Sequence, residues 1–233
     1  MTTAPVTLVT GANRGIGYEL VRQLVMLGHQ VVLTARDIGK AERAAAELRT
    51  TPDSIVAVQL DVTNEHSVRA AAEVVEARFG RVDALVNNAA IDYDRDQPVM
   101  QADMSRAGRI LDTNVLGVWR VSQVFLPLLL KSDHPRIVNV SSESGKLAGY
   151  PDMAPAYSVS KSALNALTIH MAHALKRDRV LVNSICPGWI ATDMGGPSGG
   201  PVEEGAASIL WGVTLPDNGP TGGFFQHGKP LPW

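Results

Sequence analysis

Short apolar runs alternate with longer amphipathic stretches along most of the chain. The apolar runs have the length of buried strands, and several end in glycine or polar residues. The predicted strands are VTLVTG, QVVLTAR, SIVAVQLDV, RVDALVNNAA, RIVNVSS, VLVNSICPG and a shorter final GGFFQ. Between them, apolar residues recur at helical spacing, so the pattern predicts strands and helices in alternation.

The predicted helices fill the intervals between these strands. They span residues 15–28, 38–49, 65–80, about 104–131, 154–177 and 202–212. Pro127 is expected to bend the long fourth helix or to end it early. Such alternation predicts a parallel sheet with helices on both faces. Right-handed crossovers make it a doubly wound, Rossmann-type α/β fold of about seven strands.

The pattern contains no linker and no internal repeat, so residues 1–233 are predicted to form a single domain. The stretch PGWIATDMGGPSGGP is rich in glycine and proline and lies just beyond the end of a predicted strand. Ligands bind beyond the carboxyl ends of strands in sheets of this kind. We therefore expect a short substrate lid near residues 189–205.

The composition is that of a water-soluble globular protein, because 45% hydrophobic residues can fill a sizeable core. A net charge of −2 leaves no basic excess for binding nucleic acid. The apolar stretch around VFLPLLL is too short to span a membrane. The one cysteine, Cys186, excludes an internal disulfide and is typical of a reducing compartment. With no signal-peptide pattern at the N-terminus, we expect a cytoplasmic protein.

The segment TGANRGIG joins the first predicted strand to the first predicted helix. Glycines in such a turn let the backbone approach a pyrophosphate, and the helix N-terminus points amide donors at it. The residues expected to hold the phosphates are Gly11, Asn13, Arg14, Gly15, Ile16 and Gly17. The alternative is that the glycines serve only the geometry of the turn.

The end of the second strand normally selects the dinucleotide. An acidic residue there accepts the ribose hydroxyls of NAD, whereas an arginine attracts the 2′-phosphate of NADP. Here the strand ends in Arg36, with Asp37 one step further on, and Arg14 lies in the glycine turn. This arrangement predicts NADP(H), unless Arg36 is simply a solvated surface residue.

Tyr157 and Lys161 are four residues apart in AYSVSKSAL and so share one face of a predicted helix. A neighbouring ammonium stabilises a phenolate, so we expect Lys161 to lower the pKa of Tyr157 and make it a proton donor. The alternative is an ordinary exposed pair on a helix.

Seven motifs occur in order: TGANRGIG, LDV at 60–62, NNAA at 87–90, Asn114, IVNVSS, YSVSK and CPGWIATDM. Together they resemble the short-chain dehydrogenase/reductase family, and the C-terminal part is most similar to its NADPH-dependent carbonyl reductase branch. The resemblance implies the catalytic residues Asn114, Ser142, Tyr157 and Lys161. Ser142 is favoured over Ser141, and Ser144 is a lesser candidate.

The same resemblance implies further contacts to the cofactor. Asp61 and Val62 would contact the adenine, Asn88 and Ala89 the adenosine ribose, and Pro187, Gly188, Ile190 and Thr192 the nicotinamide end, with Tyr157 and Lys161 beside it. Lys161 would bind the nicotinamide ribose, Ser142 the substrate oxygen, and Asn114 a water that links Lys161 to solvent.

Two departures from the family pattern qualify the resemblance. Ala90 stands where the family usually has glycine, so its Cβ occupies space there. Only ESGKLAGYPDMAPA separates Ser142 from Tyr157, whereas the monomeric animal carbonyl reductases carry an extra segment. The long helices are therefore expected to be free to form the family's usual homodimer or homotetramer.

We expect an enzyme that reduces a ketone or aldehyde, a small-molecule carbonyl substrate, with hydride from NADPH and a proton from Tyr157. One alternative is an NADP(H)-binding sensor or scaffold that has kept the fold without the reaction. Another is a secondary-alcohol dehydrogenase using the same groups in reverse. No metal site is predicted, because no third ligand accompanies His170 and His173. Trp189, Tyr150, Met153 and Met194 are expected to form a substrate wall or to pack the lid.

Overall fold

A computed structural model describes residues 4–51, 53–148 and 153–233. Within them, eight strands form one sheet. The strands are β1 Val6–Val9, β2 Gln30–Ala35, β3 Ile55–Gln59, β4 Ala84–Asn87, β5 Arg136–Val140, β6 Leu181–Ile185, β7 Phe224–Gln226 and β8 Lys229–Pro230. They are shorter at their carboxyl ends than the predicted runs, because those ends turn into the loops that form the candidate site.

The helices alternate with the strands as predicted. They are α1 Gly15–Met26, α2 Ile38–Leu48, α3 Glu65–Phe79, α4 Met104–Leu111, α5 Val118–Leu129, α6 Pro155–Ala174 and α7 Val202–Val213. Short 3₁₀ turns lie at Val99–Gln101 and Glu143–Gly145. None of the helices in these ranges is long and apolar enough to cross a membrane.

The strand order is β3-β2-β1-β4-β5-β6-β7-β8, with β1 to β7 parallel and β8 antiparallel to β7. The prediction of a doubly wound parallel sheet is confirmed. The count of about seven strands becomes eight because β8 is a two-residue polar strand without an apolar pattern. The chain reverses its direction of winding between β1 and β4, where such sheets bind ligands.

Two hydrophobic clusters fill the space on the two faces of the sheet. On one face α3, α5 and α6 contribute buried residues such as Val68, Phe125 and Leu164. On the other face α1, α2 and α7 contribute Leu24 and Ile209 among others. Each helix therefore presents its apolar stripe to the sheet, which holds the strand ends in fixed positions.

The long fourth helical region differs from its prediction. A π-helical turn, Asp112–Gly117, joins α4 to α5, and α5 continues through Pro127 to Leu129. The expected early end at Pro127 is therefore wrong. Proline removes the hydrogen bond to the carbonyl four residues earlier. That residue, Gln123, is exposed, so water can satisfy its carbonyl.

Candidate active site

A cavity of about 610 Å³ opens at the carboxyl ends of β1 and β4. The predicted site residues that line it are Gly11, Asn13, Arg14, Gly15, Ile16, Gly17, Arg36, Asp61, Val62, Asn88, Ala89, Tyr157, Lys161, Pro187 and Thr192. Asn114, Ser142, Gly188 and Ile190 are not among its lining residues. The fold therefore brings most of the sequence-predicted set to one place.

The glycine turn between β1 and α1 requires glycine for two different reasons. Gly11 and Gly15 have φ of +62° and +57°, a left-handed conformation that side chains rarely adopt. At Gly17 the limit is space, because an added Cβ would lie 2.5 Å from Asn88 Nδ2. Both the backbone conformation and the close approach depend on the missing side chains.

The N-terminus of α1 lacks the side-chain cap that α2, α3 and α4 have. Asp37, Asn64 and Asp103 cap α2, α3 and α4 by accepting backbone N–H bonds. In the described part of the chain, no side chain caps α1, and its first turn holds no acidic residue. The first amides of a helix need acceptors, and these lie against the cavity. The arrangement fits the pyrophosphate of a dinucleotide.

Asn88 braces the glycine turn rather than only lining the cavity. Its Nδ2 donates to the carbonyls of Thr10 and Gly11 at 2.8 and 3.1 Å. Thr10 Oγ1 in turn accepts from the amides of Asn88 and Ala89, both at 3.0 Å. The end of β4 thus fixes the loop that follows β1.

Two arginines line the cavity. Arg36 is exposed just after β2, and Arg14 pairs with Asp193 of the predicted lid, Nη1 to Oδ2 at 2.5 Å. Asp37, the residue that could accept ribose hydroxyls, instead accepts from the amide of Lys40 as the cap of α2. The guanidinium of Arg36 is therefore suited to a phosphate. Further along the rim, Asp61 accepts from the amide and hydroxyl of Thr63.

Tyr157 and Lys161 lie next to each other in the first half of α6. The two residues are 8% and 2% exposed, and both line the cavity. Lys161 Nζ donates to the carbonyl of Val140 at 2.7 Å and lies 5.5 Å from the centre of the Tyr157 ring. The alternative of an ordinary exposed helical pair is therefore wrong.

Burial controls the protonation of both groups. It lowers the pKa of Lys161 to about 8 and raises the pKa of Tyr157 above its usual value, while the Ser142 hydroxyl acts to lower the latter. The expectation that Lys161 lowers the pKa of Tyr157 is wrong for the protein alone. The reason is that desolvation disfavours both charged forms and the ammonium hydrogen-bonds to Val140.

Ser141 and Ser142, the two serines of the SS pair, have different surroundings. Ser141 is buried and donates to Asn165 Oδ1 at 2.6 Å, so its hydroxyl is already engaged in the core. Ser142 is half-buried, caps the 3₁₀ turn by accepting from the amide of Ser144, and acts on the phenol of Tyr157. The structure therefore favours Ser142 as the hydroxyl beside the tyrosine.

Asn114 lies in the π-helical turn and is completely buried. Its Oδ1 accepts from the amide of Ile91 at 2.9 Å, and its Nδ2 donates to Ser160 Oγ at 3.1 Å. It therefore joins the loop after β4 to α6, next to the Tyr157–Lys161 pair. π-Helical turns often occur at functional sites.

Only part of the segment predicted to hold the nicotinamide lines the cavity. Pro187 and Thr192 line the cavity, and Gly188 adopts φ +90°. Ile190 is buried and packs instead against Gly205 of α7. Its side chain therefore packs against α7, at the start of the segment predicted to be the lid.

Residues 5–200 match the family model described as short chain dehydrogenase. The chain belongs to the short-chain dehydrogenase family. Carbonyl reductase (NADPH) 1 of Sus scrofa is 32% identical over 280 residues, covering 98% of this chain and 94% of the relative. The (+)-neomenthol dehydrogenase of Arabidopsis thaliana is 33% identical over 283 residues, covering 94% and 95%. The crystal structure of NADPH-bound carbonyl reductase from chicken fatty liver has a TM-score of 0.89 at 29% identity, covering 100% of this chain and 96% of that one.

This short-chain dehydrogenase is shorter than the pig relative. The alignment spans 280 positions, more than the 233 residues of the chain, so the relative carries segments that this chain lacks. The family resemblance is confirmed by the family model and by this relative.

Several residues around the short-chain dehydrogenase site were missed by sequence reasoning. Asp94 and Tyr93 contact Tyr157, and Asp193 pairs with Arg14, but each stands in a loop without a periodic pattern. The other missed lining residues are Tyr18, Glu19, Ala35, Leu60, Thr63, Ala90, Ile91, Thr113, Val140, Ser141, Ala191 and Val202. Proximity to a motif could have found Ala90 and Ile91. Trp189 and Met153 are exposed, Met194 lines the cavity, and Tyr150 lies outside the described residues.

The two histidines considered as metal ligands, His170 and His173, lie on α6. Among the residues that the structure describes, no group of three or more His, Cys, Asp or Glu side chains is arranged to hold a metal ion. Cys186 is buried, as expected of a packed thiol.

Proposed function

We propose that the protein reduces a ketone or aldehyde to an alcohol, using NADPH as hydride donor and Tyr157 as proton donor. The observation that carries this proposal is the buried Tyr157–Lys161 pair at one end of a cavity whose other end has two arginines and an uncapped helix N-terminus. One end suits proton transfer and the other suits a phosphorylated dinucleotide.

The choice of NADP(H) rests on charge at the adenosine end. Arg14 and Arg36 line the cavity there, and Asp37 is occupied in capping α2. The pig relative is named for NADPH, and the chicken structure contains it. We propose that both arginines contact the 2′-phosphate, with the amides of Gly15 to Gly17 near the pyrophosphate.

In the proposed reaction the protein positions the substrate oxygen and supplies the proton. The bound cofactor supplies the hydride. Ser142 donates a hydrogen bond to the carbonyl oxygen and stabilises the charge that develops there. Tyr157 donates the proton of its hydroxyl to the same oxygen. Lys161 binds the ribose next to the nicotinamide, and Asn114 holds the adjoining loop and a water for proton resupply.

Tyr157 is protonated at neutral pH, because burial raises the pKa of its phenol. A proton donor must start in this form, whereas oxidation of an alcohol would need the phenolate as a base.

A panel of aliphatic and aromatic ketones and aldehydes, assayed for NADPH oxidation, tests the proposal. We expect turnover with at least one class of carbonyl and a higher kcat/KM with NADPH than with NADH. Tight NADPH binding without turnover on any member would favour the sensor or scaffold. A clear preference for NADH would contradict the assignment of the arginines.

Secondary-alcohol oxidation is the second candidate, because the neomenthol dehydrogenase relative is named for an alcohol. The same residues can act in reverse, with the Tyr157 phenolate accepting the proton. NADP⁺ reduction by a matched set of secondary alcohols distinguishes the two. Oxidation that exceeds reduction at neutral pH would make this the better description.

The remaining proposals concern assembly, the lid and location. Leu116, Trp119 and Leu130 are large apolar residues exposed on or next to α5, and the chain lacks segments of its longer relative. We propose a homodimer or homotetramer formed through the long helices, with residues 189–205 as the substrate lid of one catalytic domain. Sedimentation at monomer mass would contradict the oligomer. The cytoplasmic location stays a prediction.

A further inference from the structure

Asp94 is a deeply buried carboxylate in the loop that follows β4, with 1% of its surface exposed. Its Oδ2 accepts from the amide of Ala156 and its Oδ1 from the amide of Tyr157, both at 3.0 Å. Both amides belong to the first turn of α6. A carboxylate is favourable at a helix N-terminus because it meets unpaired N–H groups and the positive end of the helix dipole.

The cap comes from a distant part of the chain because the local residue cannot provide one. The residue at the N-cap position is Ala154, which has φ +51° and no polar side chain. Asp94 lies 63 positions before Tyr157 in sequence, yet it binds the backbone of the proposed proton donor itself.

Tyr93, the residue before Asp94, contacts the side chain of Tyr157. Its ring packs edge-on against the Tyr157 ring, with centroids 5.0 Å apart and an angle of 88° between the planes. Asp94 therefore holds the backbone of Tyr157, and Tyr93 holds its ring. The two contacts together restrict where the Tyr157 hydroxyl can lie.

The loop is itself fastened on both sides of these contacts. Arg106 on α4 donates two hydrogen bonds to Asp92, each 2.6 Å, and two more to Asp96 at 2.9 Å. Asn114 binds the backbone of Ile91. Because these bonds restrict the movement of the loop, the loop can in turn restrict the movement of Tyr157.

We propose that Asp94 and Tyr93 are positioning residues, which fix the Tyr157 hydroxyl at the geometry that proton transfer requires. The inference rests on the proposed function, because it assumes that Tyr157 is the proton donor. A displacement of about 1 Å at a reacting group can cost on the order of 100-fold in rate. Loss of the carboxylate should therefore reduce kcat with little effect on NADPH binding, since Asp94 does not line the cavity.

The test compares Asp94→Ala and Asp94→Asn with Asp133→Asn as control. Asp133 is an exposed carboxylate far from this loop in sequence, between α5 and β5. For each variant, kcat is normalised to the number of NADPH-binding sites, and hydrogen exchange is measured at the amides of Ala156 and Tyr157. We expect Asp94→Ala to lose on the order of 100-fold in kcat with an unchanged KM for NADPH and faster exchange.

Asp94→Asn should be intermediate in both readouts, because its side-chain oxygen can still accept one of the two bonds, and Asp133→Asn should behave as wild type. Tyr93→Ala should lower kcat, whereas Tyr93→Phe, which keeps the ring, should not. If Asp94→Ala does not fold, the Asp94→Asn and Tyr93 variants decide the question.

Wild-type kcat in Asp94→Ala despite faster exchange at Tyr157 would overturn the positioning role. Unchanged exchange would overturn the contact itself. If the wild-type protein reduces no carbonyl, the proposed function fails, and the exchange measurements still decide whether Asp94 holds the first turn of α6.

Discussion

Burial decides how the individual site residues behave. The sequence indicated that Tyr157 and Lys161 share a helix face, and the structure confirms it. It could not indicate that both would be almost fully enclosed, because enclosure is produced by β5 and by the loop carrying Tyr93 and Asp94. The pKa values therefore follow from contacts that are distant in sequence.

The lowered pKa of Lys161 has a consequence for stability. The folded protein loses this proton near pH 8, whereas an unfolded chain keeps it to about pH 10.4. Between these values the unfolded state binds more protons, so the free energy of unfolding rises with pH. The raised pKa of Tyr157 opposes this trend only above about pH 10.

We predict that Lys161→Met removes this rise. The wild-type free energy of unfolding should increase relative to that of the variant by about 2 kcal/mol between about pH 7.5 and 9.5. Urea unfolding at several pH values measures the difference. A difference that stays constant with pH would mean that Lys161 titrates alike in the folded and unfolded states.

Arg36 provides the second prediction for a single residue. Arg36→Gln should lower kcat/KM for NADPH by roughly 10- to 100-fold, the value of about one charged hydrogen bond, and leave kcat/KM for NADH unchanged. Arg43→Gln, an exposed arginine of α2 outside the cavity lining, is the control. An equal loss with both cofactors would indicate damage to the fold rather than loss of a phosphate contact.

Individual elements were predictable where their pattern is regular. The strands and helices follow the apolar runs, whereas β8 and the π-helical turn lack a periodic signal. Pro127 is tolerated because the carbonyl that it leaves without a helical partner belongs to the exposed Gln123. The glycine turn was recognised from its residues. Its dependence on Asn88 could not be, because the two segments meet only when β1 and β4 pair.

A pair of glycine substitutions tests the turn as an element. Gly17→Ala would place a Cβ 2.5 Å from Asn88 Nδ2 and 3.0 Å from the backbone of Ala12, so we expect weaker NADPH binding and lower stability. At Gly108 in α4 an added Cβ meets nothing within 4 Å. Gly108→Ala should therefore raise stability by about 0.5–1 kcal/mol through helix propensity alone.

Thermal unfolding with and without NADPH measures both variants. A Gly17→Ala protein with wild-type affinity for NADPH would mean that the turn can relax around the methyl group. In that case the close approach to Asn88 would not matter for the cofactor.

The described residues combine one sheet, a cavity at its reversal point and the proposed catalytic groups from the loops and helices around it. The sequence motifs predicted this architecture because they occur in a fixed order, and most of them lie at the carboxyl end of a strand. They did not anticipate that the loop after β4, which carries Tyr93 and Asp94, also contacts the segment predicted to be the lid. Arg95 donates to the carbonyl of Gly195 there, a contact between two loops a hundred residues apart.

Single-turnover oxidation of bound NADPH by the Tyr157→Phe variant tests the central claim most directly. The variant lacks only the phenolic hydroxyl, so NADPH affinity measured by fluorescence titration should stay at the wild-type value. With a carbonyl substrate that the wild type reduces, we predict a rate lower by roughly 100- to 10,000-fold, the usual contribution of a general acid. A wild-type rate in the variant, with NADPH bound equally well, would contradict the role of Tyr157 as the proton donor.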